Sequence, residues 1–282
     1  MKILKTIKSY KTWWKHQASR TIGFVPTMGA LHEGHLSLIR RSQRENKLTV
    51  VSIFVNPTQF GPNEDFKRYP RPWKKDFGLL KKIGVSAIFL PQTKEMIPVD
   101  YTTTVTVKGL NRVLCGAPPS RGPGHFDGVA TIVCKLFNIV RPTRAYFGLK
   151  DYQQVRIIES MVCDLNMDVQ VVRCSTLREK NGLALSSRNL YLNQAERFVA
   201  PLFYTALQYG RKLLTSKLKM TPQEIRRKVR RQLTSIPTSR VEYVELVNPT
   251  TLQSIKVHQR PVVLAAAIRL GQTRLIDNIT IK

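Results

Sequence analysis

His32 and His35 stand three residues apart in the string Pro26-Thr27-Met28-Gly29-Ala30-Leu31-His32-Glu33-Gly34-His35. At that spacing a helix carries both imidazoles on one face, where their ring N–H groups can donate to one anionic ligand. A helix opening there also aims free backbone N–H groups and a positive dipole end at an anion. Gly29 and Gly34 let the backbone approach a ligand closely. Zinc is a second chemistry for such a pair, but His-Glu-Gly-His is one residue shorter than the His-Glu-x-x-His metalloprotease spacing, so the i, i+4 geometry is lost. Taken alone, a His pair at helical spacing is more often structural or metal-binding than nucleotide-binding.

Three further stretches carry side chains suited to the same task. The apolar run over 48–55 ends in Asn56-Pro57-Thr58-Gln59-Phe60-Gly61, and amides just past a strand's end can read a small polar ligand or satisfy the loop backbone. Gly148-Leu149-Lys150-Asp151 opens a helix that carries Gln153 and Gln154. Gly182-Leu183-Ala184-Leu185-Ser186-Ser187-Arg188-Asn189 brings two hydroxyls and a guanidinium fork together, a set able to wrap a triphosphate. By itself such a loop is ordinary.

The elements that must position these side chains follow from periodicity. Ile22, Phe24 and Val25 form a short apolar run suited to a buried strand, which Pro26 is expected to end. Strands are predicted over 48–55, 87–90, 102–107, 144–147 and 168–172. Helices are predicted over 72–83 and 127–140, the latter with Val129, Ile132, Val133, Leu136, Phe137 and Val140 at a 3.6 period. Alternation of this kind predicts an α/β fold, a Rossmann-like parallel sheet with helices on both faces and the site at the strands' C-terminal ends. Past the Ser-Ser-Arg loop the pattern changes to helices over 194–214 and 221–235 and strands over 240–247, 262–268 and 273–277. Residues 1–180 are therefore expected to form a Rossmann-like nucleotide-binding domain, and 181–282 a smaller C-terminal α+β domain closing over the site.

A chain of 282 residues is long enough for both cores. Cys115, Cys134, Cys163 and Cys174 form no Cys-x-x-Cys pair and read as reduced thiols of the cytoplasm. The lysine-rich start, 1–17, lacks a signal-peptide core, and no stretch has the length of a membrane span. Charge is the anomaly: 46 Lys and Arg stand against 18 Asp and Glu, a formal balance of +28. A phosphate site needs only a few cations, so the excess serves a solvated face, steering of anionic substrates or nonspecific association with nucleic acid. Its densest run is 226–231, within the helix predicted over 221–235.

The first string resembles the Thr-x-Gly-x-x-His-x-Gly-His signature of the nucleotidylyltransferase superfamily. With Val51-Ser52-Ile53-Phe54-Val55-Asn56-Pro57-Thr58-Gln59-Phe60, Pro123-Gly124-His125-Phe126, Phe147-Gly148-Leu149-Lys150-Asp151-Tyr152-Gln153-Gln154, Leu183-Ala184-Leu185-Ser186-Ser187-Arg188-Asn189 and Leu275-Ile276-Asp277-Asn278, nearly the whole chain resembles the pantothenate synthetase (pantoate–β-alanine ligase) family. The resemblance implies ATP-dependent condensation of pantoate with β-alanine through a pantoyl adenylate, with Mg²⁺ held mainly through the ATP phosphates, no metal-ligand set in the protein and no tightly bound organic cofactor. It implies catalytic roles for His35, His32, Lys150 and Arg188, with His35 where the family has its proton donor. It further implies ATP contacts from Met28, Gly29, Ala30, Leu31, His32, Glu33, Gly34 and His35, from Gly148, Leu149, Lys150 and Asp151, and from Leu177, Leu185, Ser186, Ser187 and Arg188. Gln59 and Gln154 would bind pantoate, and Gln59 also β-alanine. A cytoplasmic homodimer is implied, with no membrane partner.

Three positions depart from the family pattern. Arg121 precedes Gly122 where the family has arginine directly before Pro-Gly-His-Phe, after an apparent insertion, Pro118-Pro119-Ser120. Lys75 stands beside Asp76 where an acid is frequent, and Leu149 replaces a frequent glutamate. Another nucleotidyl transferase on the same core, serving RNA, is the competing enzyme class, and a nucleic-acid-binding protein on a synthetase fold is the competing non-enzyme. The pair Gln59 and Gln154, with a short second domain, favours a small acid over the first, and the set His32, His35, Lys150 and Arg188, which binding alone would not require, speaks against the second.

Overall fold

The computed structural model describes residues 1–17, 20–62, 64–118, 120–216, 220–257 and 259–282, so Pro119 of the expected insertion lies outside the described residues. The chain forms two compact units. One comprises Met1–Asn111, Pro123–Leu149 and Gln154–Ser175, the other Arg112–Gly122, Lys150–Gln153 and Thr176–Lys282.

Among the described residues of the first unit, six strands make one sheet: β1 Lys2–Leu4, β2 Ile22–Thr27, β3 Leu48–Ile53, β4 Ala87–Phe89, β5 Arg144–Gly148 and β6 Gln170–Cys174. Their order is β1-β4-β3-β2-β5-β6, and every pairing is parallel. Helices α1 Ile7–Lys15, α2 Glu33–Glu45, α3 Trp73–Ile83, α4 Thr93–Met96, α5 Pro123–Val140 and α6 Tyr152–Asp164 connect them, the first residues of α6 grouping with the other unit. Every residue of β3 is buried, which requires cover on both faces. Successive residues of β2 identify that cover. Val25 packs in a cluster with Ile39 of α2 and Leu80 of α3, while Phe24 meets Phe137 of α5 edge-on at 6.4 Å. From β2 the chain proceeds outward through β3 and β4, then returns to place β5 on the other side of β2, so chain progress reverses between β2 and β5. Ligands of such sheets bind outside the strand ends at that point.

Tyr146 of β5 ties the sheet to the C-terminal end of α2. Its hydroxyl donates to Glu45 Oε2 at 2.9 Å and accepts from Asn46 Nδ2 at 2.6 Å. Burial, with the Glu45 carboxylate beside it, pushes the phenol up to about 12.

In the second unit, α7 Gln194–Val199, α8 Leu202–Thr215 and α9 Pro222–Thr234 accompany an antiparallel sheet of β7 Ser239–Val247, β8 Val262–Leu270 and β9 Thr273–Ile281. Its core joins Phe203, Leu207 and Leu214 of α8 and Ile225, Val229 and Leu233 of α9 to Val262, Leu264, Ala266 and Ile268 of β8. The four-residue spacing in α9 makes one buried stripe, each side chain contributing about 1.5–3 kcal/mol of apolar burial. Thr221 and Glu224 cap its start reciprocally.

Three expectations are corrected. Pro26 does not end β2, which continues to Thr27 paired with Ile53 of β3. Pairing with β5 involves only Gly23 and Phe24, so the missing N–H of Pro26 interrupts no rung on that side. Residues 102–107 form no strand, because the Val105 N–H donates to Thr131 Oγ1 of α5 at 2.8 Å instead of entering a ladder. The helix expected over 194–214 is two helices, parted at Ala200-Pro201, where proline offers no N–H to the preceding turn. β1 and α1 lie in the lysine-rich start that carried no prediction. Cys115, Cys134, Cys163 and Cys174 are free thiols, and among the described residues no helix is long and apolar enough to cross a membrane.

Candidate active site

The turn from β2 to α2 is built around consecutive residues in left-handed backbone, Gly29 at φ 80° and Ala30 at φ 51°. Glycine suits the first, where an added Cβ would also crowd Asp76 Oδ2 and Ile53 at 3.1 Å. What holds the turn is Asp76, a buried carboxylate in the first turn of α3. Its Oδ2 accepts from the Ala30 N–H and its Oδ1 from the Leu31 N–H, both at 2.9 Å. Burial raises the Asp76 carboxyl from its ordinary value, and the two N–H donors offset part of that rise. Beneath it, Thr27 Oγ1 accepts from the Gly29 N–H at 3.1 Å and donates to the Ser52 carbonyl at 2.7 Å.

The chain then enters α2 with His32 as its N-cap. His32 Nδ1 accepts from the Gly34 N–H at 3.1 Å, and His35 Nδ1 accepts from the His32 N–H at 3.4 Å. The two rings lie with centroids 4.1 Å apart and planes 35° from parallel. In a neutral imidazole an accepting Nδ1 places the proton on Nε2. The helix cap thereby selects, for both rings, the tautomer that donates from Nε2. Glu33, next in the chain, pairs with Arg40 at the exposed surface, which moderates its negative charge at a helix start otherwise favourable to anions.

The loop after β3 is ordered by Asn56, which is buried. Its Oδ1 accepts from the Thr58 N–H at 3.1 Å and from Thr58 Oγ1 at 2.8 Å, while Nδ2 donates to the Gly128 carbonyl of α5 at 3.1 Å and to Gln59 Oε1 at 3.2 Å. The Gln59 amide is thus oriented, with Nε2 on Met28 Sδ at 3.0 Å and His125 Nδ1 at 2.6 Å from its backbone carbonyl. Gly128 makes the close approach possible, since a Cβ there would stand 2.3 Å from the Thr58 carbonyl oxygen. Met28, His32, His35 and Gln59 therefore follow the C-terminal ends of β2 and β3. Gly148 is the last residue of β5 and Leu149 follows it, and Gln154 is half-buried on α6.

Lys150, Asp151, Leu177, Leu185, Ser186, Ser187 and Arg188 belong to the second unit. Lys150 Nζ rests 3.3 Å from Asp151 Oδ1. Leu177 and Leu185 are joined by the Leu185 N–H donating to the Leu177 carbonyl at 3.0 Å. Ser186 caps the short 3-10 turn Ser187–Tyr191, its Oγ accepting from the Arg188 N–H at 3.3 Å, so its hydroxyl proton remains available for donation. Gln153 is structural: buried, it donates to the Val113 carbonyl at 2.6 Å and accepts from the Cys115 N–H at 3.0 Å. Among the described residues no three His, Cys, Asp or Glu side chains gather as a metal-ligand set.

Residue types and spacing left Asp76 and His125 out of the site, while of the two readings open for the Asn56 amide the structure shows the one that satisfies the loop. Asp76 had one signal, an acid in the first turn of a helix that already has no side-chain cap to make. Its partners lie 45 and 46 residues away, which no local pattern reveals.

A doubly wound parallel sheet with a glycine turn and paired imidazoles at a helix start belongs to the nucleotide-binding α/β class. A family model described as pantoate–beta-alanine ligase matches residues 2–280. The chain is 50% identical over 264 residues to the pantothenate synthetase of Thermodesulfovibrio yellowstonii, covering 93% of this chain and 92% of that one. The crystal structure of pantothenate synthetase from Thermus thermophilus superposes with a TM-score of 0.91 at 42% identity over 99% of each chain. That of pantoate–beta-alanine ligase from Francisella tularensis, complexed with beta-gamma ATP and beta-alanine, gives 0.81 at 35% identity, covering 99% of this chain and 97% of that one. The chain belongs to the pantoate–beta-alanine ligase family, and with it to the carbon–nitrogen bond-forming ligases of pantothenate biosynthesis.

Proposed function

We propose that the protein joins (R)-pantoate to β-alanine by way of a pantoyl adenylate. A carboxylate oxygen of pantoate attacks the α-phosphorus of ATP, and the bond to the bridging oxygen breaks to release pyrophosphate. The β-alanine amine then attacks the acyl carbon, loses a proton and expels AMP. The observation that carries this reading is the pair His32 and His35, whose Nδ1 atoms are engaged in the cap of α2 so that Nε2 is the donor on each ring.

Bringing a carboxylate to a polyphosphate opposes like charges, about 4 kcal/mol per unit pair at about 4 Å and an effective dielectric near 20. His32 and His35 answer this with oriented donors at a helix N-terminus, His35 in the family's proton-donor position. Lys150 supplies the cation for the reacting α-phosphate. Ser186, Ser187 and Arg188 hold the departing pyrophosphate, two hydroxyls and a fork matched to phosphate oxygens. Mg²⁺ enters with ATP as part of the substrate. Residues 28–35 and 148–151, with Leu177 and Leu185, line the nucleotide. Gln59 and Gln154 bind pantoate, and Gln59 also the β-alanine that replaces ATP's phosphates in the second step. No side chain is acylated, so the rate comes from positioning and fixed electrostatics. The protein acts as a cytoplasmic homodimer.

Oxygen tracing tests the intermediate. With both pantoate carboxylate oxygens labelled as ¹⁸O, the adenylate route delivers one label to AMP and keeps one in the pantothenate amide. Unlabelled AMP, or label in inorganic phosphate, contradicts it.

One surface supports a second property. Arg227, Lys228, Arg230 and Arg231 of α9 are exposed, opposite the buried stripe of that helix, in a chain of net charge +28. Such a face associates with nucleic acid through counterion release, without sequence preference.

A further inference from the structure

Two adjacent residues of β9 hold both candidate segments of the second unit. Asn278 Nδ2 donates to the Lys150 carbonyl at 2.9 Å. Its own N–H donates to Asp277 Oδ1 at 2.8 Å. Asp277 in turn receives Arg178 through a two-point fork, Nη1 to Oδ2 at 2.6 Å and Nη2 to Oδ1 at 2.9 Å. Arg178 stands at the base of the loop that carries Ser186, Ser187 and Arg188. Its Nη1 also donates to the Gly182 carbonyl at 3.2 Å, its backbone bridges Ala184, and its guanidinium carbon lies 3.7 Å from the Tyr204 ring centroid. The Ala184 carbonyl then accepts from Asn189 Nδ2 at 3.0 Å, just past Arg188.

A continuous set of hydrogen bonds therefore runs from the Lys150 backbone, through one buried carboxylate, to both ends of the Ser186–Arg188 stretch. The apolar core of this unit, made by α8 and α9 against β8, does not require it. A forked buried ion pair contributes little net stability over apolar packing, but it fixes geometry, because each group has one arrangement that satisfies it.

We propose that Asp277 and Asn278 are positioning residues for adenylation, fixing the Lys150 backbone and the base of the Ser186–Arg188 loop on one strand. The inference rests on the phosphate-handling roles given to Lys150, Ser186, Ser187 and Arg188 above. A lysine amine on four rotatable bonds reaches one place reliably only if its own backbone is fixed. Asn278 supplies that constraint on the carbonyl side.

Asn278→Ala removes the donor to Lys150 and leaves the Arg178–Asp277 pair. Arg178→Lys keeps a positive charge beside Asp277 but loses the fork and the Gly182 bond. Three quantities are measured on each folded variant: pantoate-dependent exchange of pyrophosphate into ATP, aminolysis of synthetic pantoyl adenylate by β-alanine, and the thermal midpoint. Asn278→Ala is expected to slow exchange about 10–100-fold and Arg178→Lys about 5–20-fold, with aminolysis and the KM for ATP within about twofold of the unsubstituted protein. Asn278→Asp, which turns an acceptor toward the Lys150 carbonyl, is expected to be at least as slow in exchange as Asn278→Ala. Exchange within twofold in both Asn278→Ala and Arg178→Lys overturns the inference while leaving the adenylate reading intact. So does a uniform fall of exchange and aminolysis that follows the thermal midpoint, which marks a structural role alone. No pantoate-dependent exchange in the unsubstituted protein overturns the adenylate reading and this inference with it.

Discussion

His32 does two things that a substitution can separate. Its Nδ1 caps α2, and the proposed mechanism gives its Nε2 the role of donor to the substrate's phosphates. Asparagine is among the best N-cap residues and carries no imidazole. His32→Asn is therefore expected to leave the unfolding free energy within about 0.5 kcal/mol of the unsubstituted protein while kcat falls on the order of 10²-fold, as for loss of one oriented donor. His32→Ala is expected to lose the cap as well, about 1 kcal/mol. Denaturant titration beside steady-state kinetics checks both. A His32→Asn protein that is folded and fully active would remove His32 from the chemistry. The histidines were legible because cap, turn and ring spacing are all local. The division of each ring into a capping and a donating nitrogen was not, since spacing carries no information on tautomers.

At the scale of elements, the site turn depends on a helix that begins far along the chain. Asp76 accepts from two consecutive buried N–H groups, those of Ala30 and Leu31, in the turn before α2. Asp76→Asn keeps the shape but turns an NH₂ toward one of those donors. It is expected to cost about 1–3 kcal/mol in urea unfolding and to lower kcat/KM for ATP. Stability and activity both unchanged would show that the turn holds without the carboxylate. Apolar runs identified β2 and β3, a 3.6 period identified α5, and the glycine turn marked the start of α2, all of them local signals. Such signals misplaced what depends on neighbours: Pro26 sits inside a strand whose pairing with β5 stops at Phe24, and the segment around Val105 gives its N–H to Thr131. The break at Pro201 was written in the residue itself and overridden by the apolar pattern on either side.

At the scale of the molecule, charge and fold tell separate stories. The parallel sheet, the strand-end loops and the family assignment are accounted for by a reaction between small anions. The surplus of basic side chains is not, and its exposed concentration on α9 lies among no residue given a part in catalysis. Replacing Arg227, Lys228 and Arg231 together by Gln keeps helix propensity nearly constant. Binding to a single-stranded RNA of mixed sequence is then expected to weaken, with the slope of log affinity against log salt reduced by about 2, while pantothenate formation is unchanged. An unaltered slope would clear α9 of any such role. The condensation is checked by incubating the protein with MgATP, pantoate and β-alanine and following all products together. The expected result is AMP and pyrophosphate in equal amounts, formed only when pantoate is present, with pantothenate accumulating once β-alanine is added. ADP and phosphate in their place, or AMP formed without pantoate, would contradict the account.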